Sequence, residues 1–305
     1  MEDKKMKTSL DCIPCLFRQA LDSARMFSAD PALHERILRD VLGWCKDMDM
    51  SKPAPVMGQR IHRRLREITG VEDPYRSAKA RQNRLAMSML PGLRDIIRSE
   101  RNRLSLAVRL AIAGNIIDMG AAGDTTLSGV RKAVRQAVKE PLMGNFPAFN
   151  RAVKRSASIL YISDNAGEIV FDRLLIEELG PQRVTLAVRG FPVLNDAVMA
   201  DARAAGLHKI VKVIDNGSDA PGTVLEETSP GFNAVFKNAD LVIAKGQGNF
   251  ETLSESPRPV YFLFKAKCPL IASRAGVQLG AQVLARSGPI KIKNQGWIKK
   301  QSVRR

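Results

Sequence analysis

Ser158-Ile159-Leu160-Tyr161-Ile162-Ser163-Asp164-Asn165-Ala166-Gly167-Glu168 is an apolar run of strand length that breaks into a polar, glycine-containing turn. The residues that follow, Ile169–Leu179, carry apolar side chains at helical spacing. The same grammar recurs downstream. Val184–Val188, Ile210–Ile214, Leu241–Ala244 and Val260–Phe264 predict further strands, with helices over Asn195–Ala205 and Gly231–Lys237 between them. Parallel strands need long crossovers, and crossover helices cover the sheet, so this alternation predicts an α/β domain with a mostly parallel sheet over residues 151–285.

Upstream, from Pro14 to about Pro141, apolar residues recur at three and four positions with hardly a β-branched run. Helices are expected over Leu16–Met26, Ala32–Trp44, Val56–Ile68, Arg76–Met89, Leu93–Arg98, Leu104–Ile117 and Leu127–Val138, broken by proline and glycine at Pro53, Gly70, Pro91 and Gly92. Residues 1–150 therefore read as an all-α domain. Past residue 285 periodicity ends in a polar tail, 286–305, with Lys291, Lys293, Lys299, Lys300, Arg304 and Arg305.

A chain of 305 residues is long enough for two cooperating domains. Its 48 Lys and Arg against 31 Asp and Glu give a net charge of +17, which favours anionic partners. A solvated basic surface accounts for much of this, with weak polyanion contact through the tail as the further expectation. No apolar run approaches the ~18 residues that span a bilayer, and the lysine-rich Met1–Leu10 has no apolar segment of the signal-peptide kind, so the expectation is a cytoplasmic protein with no membrane partner.

Four polar turns follow successive strands: Asp164–Glu168, Arg189–Asp196, Asn216–Thr223 and Lys245–Glu251. In a parallel sheet they emerge on one edge, where open α/β sheets bind ligands. Each has a plain alternative. Asp164 or Asn165 fits a helix cap with Glu168 completing a capping box, Asn195 or Asp196 another cap, Asn216-Gly217 a turn pair, and the glycines after Lys245 a strand end. Caps leave unexplained why four such turns share one edge.

Residue type then points to chemistry. Hard divalent ions take oxygen ligands, and Asp164, Asn165 and Asp196 offer two carboxylates and an amide. Phosphate needs backbone N–H groups and a cation, which Gly246, Gly248 and Asn249 with Lys245 would supply. No G-x-x-x-x-G-K-[ST] is present, and Gly246-Gln247-Gly248 lacks the third glycine of the dinucleotide fingerprint. Asp164 as a phosphorylated nucleophile is conceivable, but Ala166 stands where haloacid-dehalogenase-like phosphatases carry a second Asp. Metal-activated water is the preferred reading.

At these residues the chain resembles the damage-control phosphatase family, formerly domain of unknown function 89, in its archaeal and bacterial branch with an N-terminal Cys-x-x-Cys. The motifs carrying the resemblance are Asp11–Cys15, Asp73-Pro74-Tyr75, Asn83-Arg84, Ala113–Asp118, Asp164–Glu168, Asn195-Asp196, Gly217–Thr223, Lys245–Phe250 and Lys265–Pro269. The resemblance implies an α/β/α sandwich with an N-terminal helical domain, and a metal held by Asp164, Asn165 and Asp196. It places Glu168, Lys245, Asn249 and Lys265 at the substrate, with Asn115 and Asp118 reaching the site from a helix. It implies hydrolysis of small phosphorylated metabolites, such as sugar phosphates or damaged pantetheine phosphates, with Mg²⁺, Mn²⁺, Co²⁺ or Ni²⁺. Gln247 departs from other branches, which carry Asp there, and the basic tail is not part of the pattern.

Cys12 and Cys15 flank Pro14, which suits a helix first turn, where the dipole is expected to lower thiol pKa. With Cys268 they are candidates for a second metal or redox centre. His34, His62 and His208 read as solvated. The alternative function is a non-catalytic nucleotide- or RNA-binding protein using the basic surface and tail. Carboxyl methyl transfer ranks last, because Asp164–Glu168 followed by Arg189 fits an S-adenosylmethionine pocket poorly.

Overall fold

The computed structural model describes residues 6–115, 132, 134–136 and 138–288. The five expected strands are present as β2 (Ile159–Ile162), β3 (Val184–Val188), β4 (Lys212–Asp215), β5 (Leu241–Lys245) and β6 (Val260–Lys265), all mutually parallel. Two more complete a seven-stranded sheet of order β1-β7-β6-β5-β2-β3-β4. β7 (Gln282–Arg286) runs antiparallel to β6, and β1 (Leu142–Gly144) pairs with β7. Periodicity missed β1 because three residues, two half-buried and one exposed, carry no pattern. Gly144 there lies so close to the Leu284 carbonyl that any side chain would collide with it.

Alternate side chains of the strands feed opposite cores. Ile159 and Tyr161 of β2 pack with α4 (Arg76–Ser99), α5 (Arg103–Ala113), α6 (Phe146–Arg155) and α7 (Glu168–Leu179), while Leu160 and Ile162 pack with α9 (Pro230–Asn238), α10 (Gly246–Leu253) and α11 (Pro269–Ala275). α8 is the short helix Met199–Ala204 between β3 and β4. The result is the α/β/α sandwich. A third core joins α1 (Cys12–Phe27), α2 (Pro31–Lys46) and α3 (Ala54–Thr69). No described helix is long and apolar enough to cross a membrane.

Two sequence expectations change. Pro91-Gly92 does not end a helix, since α4 continues through both, its buried stripe Met89, Leu90, Leu93 and Ile97 outweighing the proline. His62 is buried on α3, beside Ser23 Oγ at 3.3 Å and against Phe27 and Tyr75, and desolvation lowers its pKa to about 3. Ile116 and Ile117, residues 127–131 of the helix expected there, and the tail beyond Gly288 lie outside the described residues.

The helical part grips the loops of the sheet's carboxyl edge. From α3, Gln59 Nε2 donates to Asp219 Oδ1 at 2.7 Å, Arg63 Nε and Nη2 donate to the same carboxylate, and Arg66 ion-pairs with it while donating through Nη1 to Pro192 O at 2.8 Å. From α4, Asn83 donates to Asp201 Oδ1 at 2.8 Å and accepts from Gly167 N–H at 2.7 Å.

Candidate functional site

β2 is flanked by β3 on one side and β5 on the other, so the chain reverses its direction of sheet growth there. The crevice at such a reversal is open to a ligand, because neighbouring crossovers leave on opposite faces. Asp164 leaves β2 at this point, and Gly246 leaves β5 beside it. Gly246, at φ +80°, presses its Cα against the Asp164 carboxylate, which occupies the space where a Cβ would be.

Asp196 arrives by a backbone clasp. Ala166 N–H donates to Asn195 O at 2.9 Å and Ala197 N–H to Asp164 O at 2.7 Å, giving an antiparallel bridge between Asn165 and Asp196. The bridge sets the two loops, and hence the two carboxylates, side by side. None of these side chains is spent as a helix cap. α7 starts behind Gly167 without side-chain capping, and the residue before α8, Val198, donates its N–H to Asp201.

The carboxylates are costly as they stand. Burial, followed by the charges of Asp196 and Glu168, pushes the Asp164 carboxyl well above its usual range, and Arg189 and Lys267 only partly oppose this. A cation is the chemical answer to like-charged carboxylate oxygens buried side by side. Asn165 adds an amide, donating through Nδ2 to Asp164 Oδ2 at 2.9 Å and Glu168 Oε2 at 3.2 Å. Two carboxylates and an amide on one edge fit a hard divalent ion. Among the described residues no three His, Cys, Asp or Glu side chains stand as a ready ligand group.

Glu168 links the site to a buried network. Its Oε2 accepts from Asn115 Nδ2 at 3.0 Å and its Oε1 from Lys245 Nζ at 2.6 Å. Lys245 also donates to Asp172 Oδ1 at 2.7 Å and Ala111 O at 2.8 Å, and Tyr161 Oη donates to the same Asp172 oxygen at 2.8 Å. Lys245 has no exposed surface. All three N–H bonds of its ammonium are thereby used, and two carboxylates hold its pKa above the usual lysine range against the opposing effect of burial. Burial pushes Asp172 up to about 6 despite Lys245.

The other expected residues distribute as follows. Asn249 is buried, donating to Ser163 O and Lys245 O and accepting from Thr223 Oγ1 at 2.7 Å. Gly246 opens α10 rather than a glycine loop, and Gly248 lacks room for a Cβ against the Pro221 carbonyl. Lys265 lies 3.5 Å from Glu140 Oε2. Asp118 lies outside the described residues.

Cys12 and Cys15 are free thiols in the first turn of α1, and Cys268 immediately precedes α11. Their expected acidity is reversed for Cys12 and Cys15. Burial raises both pKa values, with further increments from Glu251 and Cys268, and at Cys12 it outweighs the lowering effect of the backbone hydrogen bond to Ser9. Gln247 Nε2 donates to Cys268 Sγ at 3.6 Å and to Glu251 Oε1 at 3.1 Å.

Asp172 was not singled out from sequence, and Arg189 was named as the first residue of the second polar turn, without a role. Arg189 is fully buried and donates through Nε to Asp196 Oδ2 at 2.7 Å. An arginine directly after a strand and seven residues before an acid is the only signal the sequence offered for it.

The model of the damage-control phosphatase ARMT1-like domain matches residues 8–283. The chain is similar to an uncharacterized protein of Methanocaldococcus jannaschii, 36% identical over 93% of this chain and 96% of that one. A damage-control phosphatase of Archaeoglobus fulgidus is 35% identical, covering 91% of this chain and 98% of its own. Among solved structures, a DUF89 family protein of Pyrococcus horikoshii superposes with a TM-score of 0.84 at 33% identity, over 92% of this chain and 99% of its own.

Proposed function

The chain belongs to the damage-control phosphatase ARMT1-like family, and on that premise we propose that it is a divalent-metal-dependent phosphomonoesterase acting on small phosphorylated metabolites. The observation that carries the reading is the seating of the Asp164 carboxylate on Gly246, beside Asp196, at the reversal point of the sheet. Asp164, Asn165 and Asp196 would hold the ion. When bound, it supplies positive charge against the phosphoryl oxygens and lowers the pKa of water toward neutrality.

The protein's own groups do the rest. Asn165 and Asn115 orient Glu168 by donating to one of its oxygens, and Lys245 fixes the other from beneath. Glu168 so held is a fixed acceptor for a water proton or a substrate hydroxyl. Lys245 and Asn249 act by positioning, since each has its hydrogen bonds directed into the protein. The reaction consumes water and a phosphate monoester and releases an alcohol and inorganic phosphate.

The test is phosphate release from a panel of sugar phosphates and phosphorylated cofactor fragments, each assayed with Mg²⁺, Mn²⁺, Co²⁺ and Ni²⁺. Metal-stimulated turnover is expected, falling at least ~100-fold in Asp164→Ala and Asp196→Ala, by analogy with loss of a group that stabilises transition-state charge. Full turnover in both variants, or none with any metal, would refute the reading.

A further inference from the structure

Arg189 is a buried cation whose partners come from every loop of the site. Nε donates to Asp196 Oδ2 at 2.7 Å within its own loop. Nη1 stands 3.3 Å from Thr223 Oγ1 in the loop after β4 and 3.4 Å from Asn249 Oδ1 in α10. Nη2 lies 3.8 Å from Asp164 Oδ1 and, though buried, has no hydrogen-bond partner among the described residues. Only 1% of the side chain is exposed. A buried cation with an unused donor is retained at a cost, so its place in the site calls for a reason.

The asymmetry supplies it. Asp196 is gripped by a full hydrogen bond, whereas Asp164 feels only the charge. Asn165 and the Gly246 backbone hold Asp164 on its other side, so its carboxylate is not drawn onto the guanidinium. Lysine, a single point charge, cannot reach three loops at once. The planar fork of arginine can.

We propose that Arg189 is the positioning residue of the metal site, which fixes Asp196 by a hydrogen bond and stands beside Asp164 without capturing it, and so sets the affinity for the divalent ion. This rests on the metal-dependent reading above. Groups that orient metal ligands typically change affinity ~10–100-fold when altered.

The experiment measures Mn²⁺ binding to the full-length, metal-stripped protein by calorimetry or by the free-Mn²⁺ electron paramagnetic resonance signal, for wild type, Asp164→Ala and Arg189→Lys. Arg189→Lys is expected to bind Mn²⁺ ~10–100-fold more weakly, keep its far-ultraviolet circular dichroism, and regain most of its turnover at saturating Mn²⁺. A residue that only pins loops would lower the melting temperature and turnover while leaving the Mn²⁺ Kd alone. Unchanged or tighter binding in Arg189→Lys therefore overturns the inference. Should that variant fail to fold, Thr223→Val withdraws one of the two Nη1 acceptors, leaving Asn249, and is expected to weaken binding in the same direction by less. Unchanged affinity there overturns it equally. Wild type that binds no Mn²⁺ sensitive to Asp164→Ala removes the metal reading and this inference together, whereas failure of the Arg189 arm alone leaves the metal reading standing.

Discussion

A single methyl group at Gly246 is expected to disable the site. Its φ of +80° already disfavours a side chain, and the new Cβ would fall inside the Asp164 carboxylate. Gly246→Ala should cost about 1–2 kcal/mol for the backbone alone. It should also reduce phosphate release on the order of 100-fold, the scale of an ångström's misplacement. Thermal melting and the phosphatase assay read the two effects separately, and wild-type turnover in the variant would contradict the seating. The sequence placed Asp164, Asn165 and Asp196 on one edge because order along the chain dictates which loops share it, and the structure brings those loops together. It could not reveal that Lys245 is enclosed by Glu168, Asp172 and Ala111, since a lysine at a strand end looks the same whether it faces solvent or three acceptors. Glu251 gives a prediction of the same local kind. Burial raises its pKa to about 7 against a partial offset from Gln247, and the groups whose charges it meets are the thiols of Cys12 and Cys15 on α1. Because the folded value exceeds the unfolded one, this carboxyl favours folding while protonated, and the benefit disappears as pH rises through about 7. Glu251→Gln should therefore melt above wild type at pH ~8 and lose that advantage near pH ~5, where the wild-type carboxyl is protonated in the fold. A wild type that melts as high as the variant at the alkaline end would show that burial does not govern this group.

At the scale of elements, β2 to β6 were readable because each is a short apolar run fenced by polar turns. β1 and β7 were not, since their place depends on pairing with each other and with β6, a long-range fact. α4 was expected to break at Pro91-Gly92 into helices over Arg76–Met89 and Leu93–Arg98, because local pattern does not show that one buried stripe runs on across the break. The contact between α3 and the loop after β4 is likewise invisible to local pattern, and it holds the helical part against the carboxyl edge of the sheet. Asp219 collects Gln59, Arg63 and Arg66, and although burial opposes it, the hydrogen bonds of Arg63 and Gln59 bring its pKa below the usual carboxylate range. Asp219→Ala is expected to cost about 2–3 kcal/mol, less than a fully buried pair because Arg63 is half exposed. Urea denaturation gives the loss, and hydrogen exchange should show faster opening of α3 than of β2. Acid should act on the same joint. Asp219 loses its contribution as pH falls through its depressed pKa, and His62, held neutral with a pKa near 3, contributes stability that is lost as pH falls below about 6.5.

On the scale of the whole molecule, the charge of +17 acquires a distribution. Many of the acids are consumed in pairs, with Asp219 held by Arg63 and Arg66, Glu177 by Arg94, Glu168 and Asp172 by Lys245, and Asp196 by Arg189. Each pair cancels one acid against one base and leaves the net charge unchanged, and exposed basic residues such as Arg36, Arg60 and Arg81 contribute to a net positive field around the molecule. A phosphate monoester carries the opposite sign, and its approach to the carboxyl edge should be accelerated by that field. Added NaCl shortens the range of the field from ~30 Å at 0.01 M to ~10 Å at 0.1 M. kcat/KM should then fall several-fold across that interval with kcat nearly constant, since encounter is screened while the buried chemistry of Asp164, Asp196 and Glu168 is not. Steady-state kinetics at fixed saturating metal, with NaCl varied, separates the two parameters. A salt-independent kcat/KM would mean that the basic surface does not reach the substrate's path. A fall in kcat instead would place the salt effect inside the site, at the ion pairs of Arg189 and Lys245.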